Sequence, residues 1–501
     1  MKPKSLYLLA MVAFFAASSF ATHGTRMVGF NAKTVGRGGT GIGVFDSPSL
    51  MMTNPAGIAF LSDPLLDGNF SLMVPGLHFT NTLNNVEGKT NYFPIAALGF
   101  VNPQHEEKWS WGIGVFTQGG MGADFTLQHD LFRDNTGAYI PQEYHSKLAV
   151  MQGGPSAAYR LTPDLAIGVS AHFMYSMMEF KMPYSLEPSI MKGVINPSTG
   201  MTFGDLFAAP ASQGGFGYTE VTAAAIMDHL TANGFGGKIG LAYRVSDAVS
   251  IGLSYTLPTS FTYKNGKATM DMTAQMNDAF GKAVQGYLMQ NPNATPEEAQ
   301  MAVMQQFGQM GIDLTKGAAA TYNLEAKLKF PQSLGVGTSV NVSPHVRLAF
   351  DAEWVDWKNA FDKMTLNLSN GVNPNINRML GNTGSFSVDF PMQWKDELAF
   401  RIGGEFDATS ALTLRAGYAY GSNPVPETTV FPVFPAIVDN HLMFGASYGV
   451  TDAVTLHGAY ELALNKQETA ASHSIVAHEF NGSTSELNES IFHLSFTWMF
   501  R

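Results

Sequence analysis

Apolar residues alternate with small or polar residues through much of the second half of the chain. One parity of residues 412–420 holds Leu412, Leu414, Ala416, Tyr418 and Tyr420, whereas the only charge, Arg415, lies on the other parity. Residues 492–500 repeat this pattern with an aromatic-rich face. Side chains alternate between the two faces of a β-strand. Segments of roughly ten residues with one uncharged apolar face are typical of a transmembrane β-barrel.

The alternating segments predict an all-β fold, an antiparallel transmembrane barrel of about 14 strands over residues 63–501. The predicted strands are 65–80, 92–102, 108–118, 143–161, 165–180, 235–245, 248–263, 321–341, 346–358, 397–407, 411–421, 439–450, 453–465 and 489–500.

Short and long connections alternate along these segments. Short turns such as 162–164 and 451–452 are separated by long connections, of which 181–234 and 264–320 are the longest. Outer-membrane barrels have short periplasmic turns and long extracellular loops. We therefore expect 181–234 and 264–320 to lie outside the cell.

Both longest loops contain helical patterns. Thr295 and Glu298 form a capping box around Pro296, and Ile226 and Leu230 precede a possible helix stop at Gly234. Flexible Met-rich surfaces suit varied apolar ligands, although simple packing is the alternative interpretation. The candidate ligand groove consists of Met272, Met276, Phe280, Val284, Leu288, Met301, Met304 and Phe307.

The N-terminus resembles a secretory signal peptide over residues 1–21. Lys2 and Lys4 precede an apolar run, and a small-residue cleavage site ends at Ala21. Removal of these two lysines changes the net charge from -11 to -13, which argues against a nucleic-acid partner. Only 14% of the residues are charged, against the roughly 25% usual in soluble domains, so much of the surface is expected to face lipid.

Motifs for catalysis, cofactors and metals are weak. Residues 36–41 match a dinucleotide fingerprint and residues 445–449 match a nucleophile elbow, but neither lies in the strand–helix context that such motifs need. The thirteen histidines show no metal-ligand spacing, and the chain has no cysteine. We expect no enzymatic activity, no cofactor and no metal.

One sector of the predicted lumen is charged. Its residues share the inward parity of three successive strands and are Arg347, Asp351, Glu353, Arg401, Glu405 and Arg415. A structural charge network is the favoured interpretation, and a site for a ligand carboxylate is the alternative.

Residues 22–62 do not alternate. They are Gly-rich and end in Asn54-Pro55-Ala56-Gly57. A barrel of this size would conduct water unless its lumen were filled. This segment is therefore predicted to be an N-terminal plug inside the barrel.

The chain resembles the FadL long-chain fatty acid transporters, a family that includes toluene channels. The similar segments are Gly36-Arg37-Gly38-Gly39, Asn54-Pro55-Ala56-Gly57, residues 326–331, residues 351–357, residues 401–405, residues 414–418 and Asn423-Pro424-Val425-Pro426. The resemblance implies uptake of a hydrophobic compound across a Gram-negative outer membrane.

The resemblance implies that residues 22–62 are the family's hatch, with Asn54-Pro55-Ala56-Gly57 as its hatch motif. It further implies that movement of the hatch releases the ligand sideways, beside a kinked third strand. The glycines at that position are Gly112, Gly114, Gly119 and Gly120. Glycine permits a bulge in a strand, but close packing against the plug would equally explain these residues.

The ligand and the competing functions remain open at this point. Long-chain fatty acids are favoured over aromatic hydrocarbons, and the basic candidates for a carboxylate partner are Lys238, Arg244, Lys282 and Arg401. A general porin and a surface adhesin are the other functions considered. The expected partners are outer-membrane lipid, lipopolysaccharide and the barrel assembly machinery, and we expect a monomer.

Overall fold

A closed barrel forms the body of the protein in the computed structural model, which describes residues 24–104, 108–381 and 383–500. Fourteen antiparallel strands form one continuous sheet, and the first strand pairs with the last from Leu65↔Met499 to Thr80↔Thr484. The predicted fold and strand number are confirmed. The predicted signal peptide and its cleavage site lie outside the described residues.

Ten barrel strands are single segments and four consist of two segments each. They are β1 Leu65–Thr80, β2 Phe93–Pro103, β3 Trp109–Leu127, β4 Gln142–Arg160, β5 Leu165–Leu186, β6 Val221–Arg244, β7 Val249–Thr256 and Thr259–Asp271, β8 Ala319–Phe330 and Ser333–Ser343, β9 Val346–Val355 and Lys363–Ser369, β10 Phe386–Pro391 and Glu397–Asp407, β11 Leu412–Gly421, β12 Asn440–Gly449, β13 Val454–Thr469 and β14 Thr484–Met499. Short strand segments lie at Asn85–Glu87, Val194–Asn196 and Met201–Thr202.

The helices lie in the plug and in the loops. They are α1 Ala32–Gly36, α2 Leu50–Thr53, α3 Phe203–Ala208, α4 Thr273–Gln290, α5 Pro296–Gln309, α6 Trp357–Ala360 and α7 Pro374–Met379. Single 3₁₀ turns occur at Pro55–Phe60, Pro188–Ile190, Ala211–Gln213, Leu314–Lys316, Glu427–Thr429 and His478–Phe480. Within the described part of the chain, no helix is long and apolar enough to cross a membrane.

The lipid-facing alternation is present in the structure. In β14, Phe492, Leu494 and Trp498 are exposed, whereas His493 and Ser495 are buried toward the lumen. The apolar side chains of the wall therefore face outward, as their parity indicates.

The extracellular halves of several strands are longer than predicted. β5 continues to Leu186 and β6 begins at Val221, so the connection between them is 187–220 rather than 181–234. Ile226 and Leu230 lie on β6, and the helix predicted there is wrong. Residues 221–228 are buried or half-buried on both faces, which removes the one-sided pattern that marks a strand in lipid.

The second long loop agrees better with the prediction. α4 and α5 occupy it between the end of β7 at Asp271 and the start of β8 at Ala319. The Thr295 hydroxyl accepts from the Glu298 amide at 3.2 Å, and the Glu298 carboxylate accepts from the Thr295 amide at 2.9 Å. The predicted capping box is confirmed.

The residues before β1 fill the lumen. We call residues 24–64 the plug; α1 contacts β11 to β14, and the Pro55–Phe60 turn contacts β4, β5 and β6. Leu50, Met51 and Ile58 of the plug share a buried apolar cluster with Ala166 and Ala242 of the wall. The barrel is therefore closed to bulk water by its own N-terminal segment.

Candidate functional site: the plug and the apolar column

The hatch motif joins the plug to the wall. Asn54 caps the following 3₁₀ turn by accepting from the Ala56 amide at 3.2 Å, and its Nδ2 donates to the carbonyl oxygens of Ile42 and Leu241 at 2.9 and 3.0 Å. All four motif residues are buried. A Cβ atom on Gly240 of β6 would overlap the side-chain oxygen Oδ1 of Asn54. The motif thus fits a surface that the glycines of the wall leave open.

The charged sector of the lumen binds the plug. Asp351 accepts from the amides of Gly41 and Ile42 at 2.8 and 3.0 Å, and Glu353 pairs with Arg401 at 3.0 Å and with Arg26 of the plug at 2.8 Å. The predicted residues therefore face one another in the lumen, and they also bind the plug.

A second group of charges surrounds Glu405. Its carboxylate contacts Arg347 and Arg415 of the wall, and it lies 2.9 Å from Arg37 of the plug. Asp46 of the plug lies 2.6 Å from Arg347 and 3.1 Å from Arg37. Burial alone would raise the pKa of Asp46, but the charges of Arg37, Lys33 and Arg347 hold this pKa well below its ordinary value.

The charged residues of the plug belong to this network as well, although the sequence did not predict it. Arg26, Lys33, Arg37 and Asp46 are the only charged residues among 24–62, and each forms an ion pair in the lumen. These few charges within an apolar and Gly-rich segment could have predicted ion pairs with the wall, because charges in a buried segment need partners.

Two apolar spaces and one of mixed polarity follow one another down the lumen. The outer cavity, about 70 Å³, lies between β5, β6, β7, β9 and β10, and its lining includes Met191, Leu366 and Val388. The middle pocket, about 10 Å³, is lined by Leu148, Met178, Leu328, Phe361, Met364, Phe390, Met392 and Phe434. The inner cavity, about 20 Å³, is lined by Arg26, Gln118, Gln152, His172, Met174, Gly236, Gly237, Thr256, Leu257, Thr259, Phe330 and Pro331.

These spaces are stacked along the strands. Leu366 lines the outer cavity and Met364 the middle pocket, while Leu328 lines the middle pocket and Phe330 the inner cavity. Residues two apart on a strand share one face and are successive along its length. The three spaces therefore lie in line from the extracellular loops to the plug, and we call this series the apolar column.

The predicted groove residues differ in burial and do not all line the same space. Met272 lines the outer cavity, Met276 and Phe307 are buried, and Phe280 packs edge-on against Phe307 with ring centroids 5.8 Å apart. Val284 and Leu288 are half-buried.

Two members of that set do not face the other helix. Met301 and Met304 are 64% and 54% exposed, because α5 packs through Ala299, Val303 and Phe307 at a four-residue spacing. Met301 and Met304 line none of the three spaces of the column, and their part in a ligand groove stays a prediction.

The third strand leaves the wall where its glycines are concentrated. β3 pairs with β2 only from Ser110 to Phe116, although it continues to Leu127, and a bulge against β4 lies between Thr117 and Gly119. Residues 116–123 are buried on both faces. The wall is thus interrupted between β2 and β3.

The same glycines also accommodate the plug. A Cβ atom on Gly112 or Gly114 would lie 2.8 or 2.9 Å from Met51, and the Gly120 amide donates to the Thr25 carbonyl at 3.0 Å. Gly119 forms a β-bridge with Arg26. Both interpretations of these residues therefore apply, since the strand bends toward a plug that needs the space.

A β-barrel that encloses a plug and an apolar column is a transport architecture, and the comparisons identify its family. Residues 12–500 match the family described as outer membrane protein transport protein (OMPP1/FadL/TodX). The chain belongs to this family. It is therefore an outer-membrane transport protein for hydrophobic compounds, in a family of transport channels. No curated protein matches the chain.

Solved structures of FadL-family proteins share the fold. The toluene transporter TodX of P. putida has a TM-score of 0.65 at 17% identity and covers 94% of this chain and 99% of its own. A FadL homologue of Pseudomonas aeruginosa has a TM-score of 0.66 at 16% identity, with 95% and 100% covered. The toluene transporter TbuX of Ralstonia pickettii has a TM-score of 0.61 at 18% identity, with 94% and 99% covered.

Proposed function

We propose that this FadL-family protein takes up long-chain fatty acids, with the acyl chain in the apolar column and the carboxylate near Lys238. Lys238 of β6 is 6% exposed, and its Nζ donates to Ser254 and Thr256 at 3.3 and 2.5 Å. It forms no ion pair with any carboxylate among the described residues. Thr256 and Arg26 line the inner cavity, so this buried cation lies beside the polar end of the column.

The local balance of charge supports a carboxylate ligand. Arg26 and Arg401 share Glu353, and Asp351 accepts from plug amides, so Lys238 has no carboxylate within ion-pair distance among the described residues. A buried charge is costly unless it is paired, so an anionic headgroup would be stabilised at this position. An acyl chain gains about 0.8 kcal/mol for each CH₂ group removed from water, which the apolar column supplies.

Release would follow movement of the plug and passage between β2 and β3. The inner cavity reaches Gln118, next to the Thr117–Gly119 bulge. A ligand that leaves sideways enters hydrocarbon and keeps its transfer free energy, whereas release into an aqueous channel would forfeit it. In the outer membrane the protein would contact lipid and lipopolysaccharide. The barrel assembly machinery would insert it there.

Uptake of aromatic hydrocarbons is the second candidate. Phe361, Phe390 and Phe434 line the middle pocket, and aromatic rings favour one another by about 0.5–1.5 kcal/mol beyond area burial. This ligand would not need Lys238.

The decisive experiment compares oleate with oleyl alcohol in nanodiscs by calorimetry. The Lys238→Met variant loses a charge-assisted contact of about 1.5–3 kcal/mol, so its Kd for oleate should rise roughly 10- to 150-fold while oleyl alcohol is unaffected. Lys282→Met is the control, since Lys282 is exposed on α4 and pairs with Asp278 at 3.2 Å. Equal oleate affinity in both variants, together with toluene binding, would favour the aromatic candidate.

A further inference from the structure

The wall contains a second interruption, between β6 and β7. The two strands pair from Arg244↔Ser250 to Lys238↔Thr256, and pairing resumes at Thr231↔Lys264. Residues 232–236 and 258–263 have no ladder partners across this boundary. β7 stays paired with β8 over the same stretch, beginning at Thr259↔Phe330, so the discontinuity lies on one side of β7 only.

The local sequence explains why the ladder fails. Pro258 has no amide hydrogen and divides β7 into two segments, and Pro331 divides β8 at the same level. On the facing strand, Gly234, Gly236 and Gly237 provide no side chains to cover the boundary. Proline within a sheet is confined to edges and breaks, which is how β7 behaves here.

Side chains rather than backbone ladders close this boundary. A Cβ atom on Gly234 would lie 2.7 Å from the Thr259 methyl group and 2.8 Å from the Phe261 ring. One backbone hydrogen bond, from the Leu257 amide to the Gly237 carbonyl at 2.9 Å, marks its lower end. Opening this boundary requires the Thr259 and Phe261 side chains, which are 3% and 1% exposed, to move, but it breaks no backbone ladder.

The inner cavity extends to the inside of this boundary. Gly236, Gly237, Leu257 and Thr259 line it, and Leu257 is also 41% exposed on the outer surface. The neighbouring Phe235 is 79% exposed. A single layer of residues therefore separates the cavity from the surroundings of the barrel.

The boundary lies at the outer edge of the lipid-facing band. Below it on β6, Ile239, Leu241 and Tyr243 are exposed and apolar, whereas Asn233 and Thr231 above it are exposed and polar. An opening at this height would meet the acyl chains of the outer leaflet.

We propose that residues 232–236 of β6 and 258–263 of β7 form a second side passage, gated by Thr259 and Phe261, between the inner cavity and the outer leaflet. It is separated from the β2–β3 interruption by four strands, β3 to β6, and hydrophobic ligands cross it. The inference rests on the transport of hydrophobic compounds and not on the choice between fatty acids and aromatic hydrocarbons.

Cysteine pairs test the passage, because the chain contains no cysteine. The variant Phe235→Cys/Ser260→Cys joins β6 to β7 across the boundary through a short bis-methanethiosulfonate linker that dithiothreitol removes. The control Phe173→Cys/Phe235→Cys joins β6 to β5, where Phe173 and Phe235 are direct ladder partners. Cross-linking yields are matched by mass spectrometry.

Uptake of radiolabelled oleate and of toluene into vesicles is then measured before and after linkage. If two parallel routes of similar size share the flux, linkage across β6–β7 lowers uptake about twofold, and dithiothreitol restores it, while the control pair changes nothing. Unchanged uptake of both compounds after linkage overturns the proposal. Transport of toluene without oleate would refute only the fatty-acid assignment, and the toluene measurement would still decide on the passage.

Contact with the ligand provides a second measurement. Leu257→p-benzoylphenylalanine should form an adduct with radiolabelled oleate or toluene that unlabelled ligand suppresses. Leu253→p-benzoylphenylalanine, on the same outer face of β7 but outside the inner cavity, should form only adducts that unlabelled ligand does not suppress. Equal suppression at both positions, or at neither, would contradict the passage.

Discussion

Glu405→Gln is the most direct test of how the plug is held. The Glu405 side chain is almost completely buried, and three arginines share its carboxylate: Arg347 and Arg415 from the wall and Arg37 from the plug. Glutamine keeps the shape of the side chain but removes the charge. In the variant, Arg347 and Arg37 keep Asp46 as a carboxylate partner, and Arg415 loses its ion pair.

The size of the effect follows from these contacts. Loss of one partner of a buried ion pair costs about 3–5 kcal/mol. Only one of the three arginines belongs to the plug, so we assign the lower end, about 3 kcal/mol, to the docking of the plug. At about 1.4 kcal/mol for each tenfold change, the population with a displaced plug should increase roughly 140-fold.

Single-channel recording in planar bilayers measures this population. A displaced plug exposes the lumen of a fourteen-stranded barrel, so Glu405→Gln should show far more frequent openings of large conductance than the unmodified protein. Heat-modifiable migration in gels checks that the barrel has formed. Asp407→Asn is the matched control, because Asp407 lies two residues further along the same strand but is exposed, and its carboxylate accepts from the Thr413 hydroxyl at 2.7 Å.

Two results would refute this reasoning. If Glu405→Gln opens no more often than the unmodified protein, the ion pairs do not hold the plug. If Asp407→Asn opens as often as Glu405→Gln, the increase in opening comes from the loss of a negative charge at this end of the lumen and not from the loss of the buried ion pairs.

Three further predictions concern the hatch, the loop helices and an extracellular carboxyl group. Gly240→Ala should displace the plug and raise ion conductance, because the added methyl overlaps the hatch motif, whereas Gly458→Ala meets no atom within 4 Å. Val303→Asp should release α5 from α4 and speed proteolysis of this hairpin, since it costs about 3 kcal/mol or more to bury the charge, while Met301→Asp on the exposed face should not. Burial raises the pKa of Glu479 to about 8, so its loop should lose stability as pH rises from about 4.5 to 8, and hydrogen exchange of residues 470–483, corrected for intrinsic rates, should accelerate accordingly.

The sign of the pH effect follows from proton linkage. The folded loop binds the Glu479 proton more tightly than the unfolded chain does, so its stabilising contribution is complete at acidic pH and declines up to the folded pKa. Glu479→Gln should abolish the dependence. Exchange that slows with rising pH would contradict the raised pKa of Glu479. Wild-type conductance in Gly240→Ala would contradict the fit of the hatch motif against β6, and equal proteolysis of the two aspartate variants would contradict the packing of α5 through Val303.

The predicted and observed strands differ where the membrane ends. The lipid-facing part of β6 agrees with the prediction, but its extracellular part, from Val221, was assigned to a loop with a helix. In the membrane, one face of a strand must be apolar, and this produces a readable period of two. Above it, β6 packs against α4 and neighbouring strands on both sides, and the period is lost.

The buried face of α5 also could not be predicted from local sequence alone. Its start was predictable because a capping box is a contact between residues three apart. The packed face was not, since methionines recur at a three-residue spacing whereas Ala299, Val303 and Phe307 recur at four. Only the position of α4 decides which of these two stripes is buried.

The sequence by itself determined the barrel, its strand number, the plug and the charged lumen sector. Each of these follows from local periodicity or from the parity of residues on one strand, which lipid and backbone geometry impose directly. Tertiary structure alone decided which charges of the plug meet Glu353 and Glu405, how the apolar spaces align into a column, and where β6 separates from β7. These features depend on contacts between residues distant in the chain, such as Arg26 and Glu353, whose pairing no local pattern encodes.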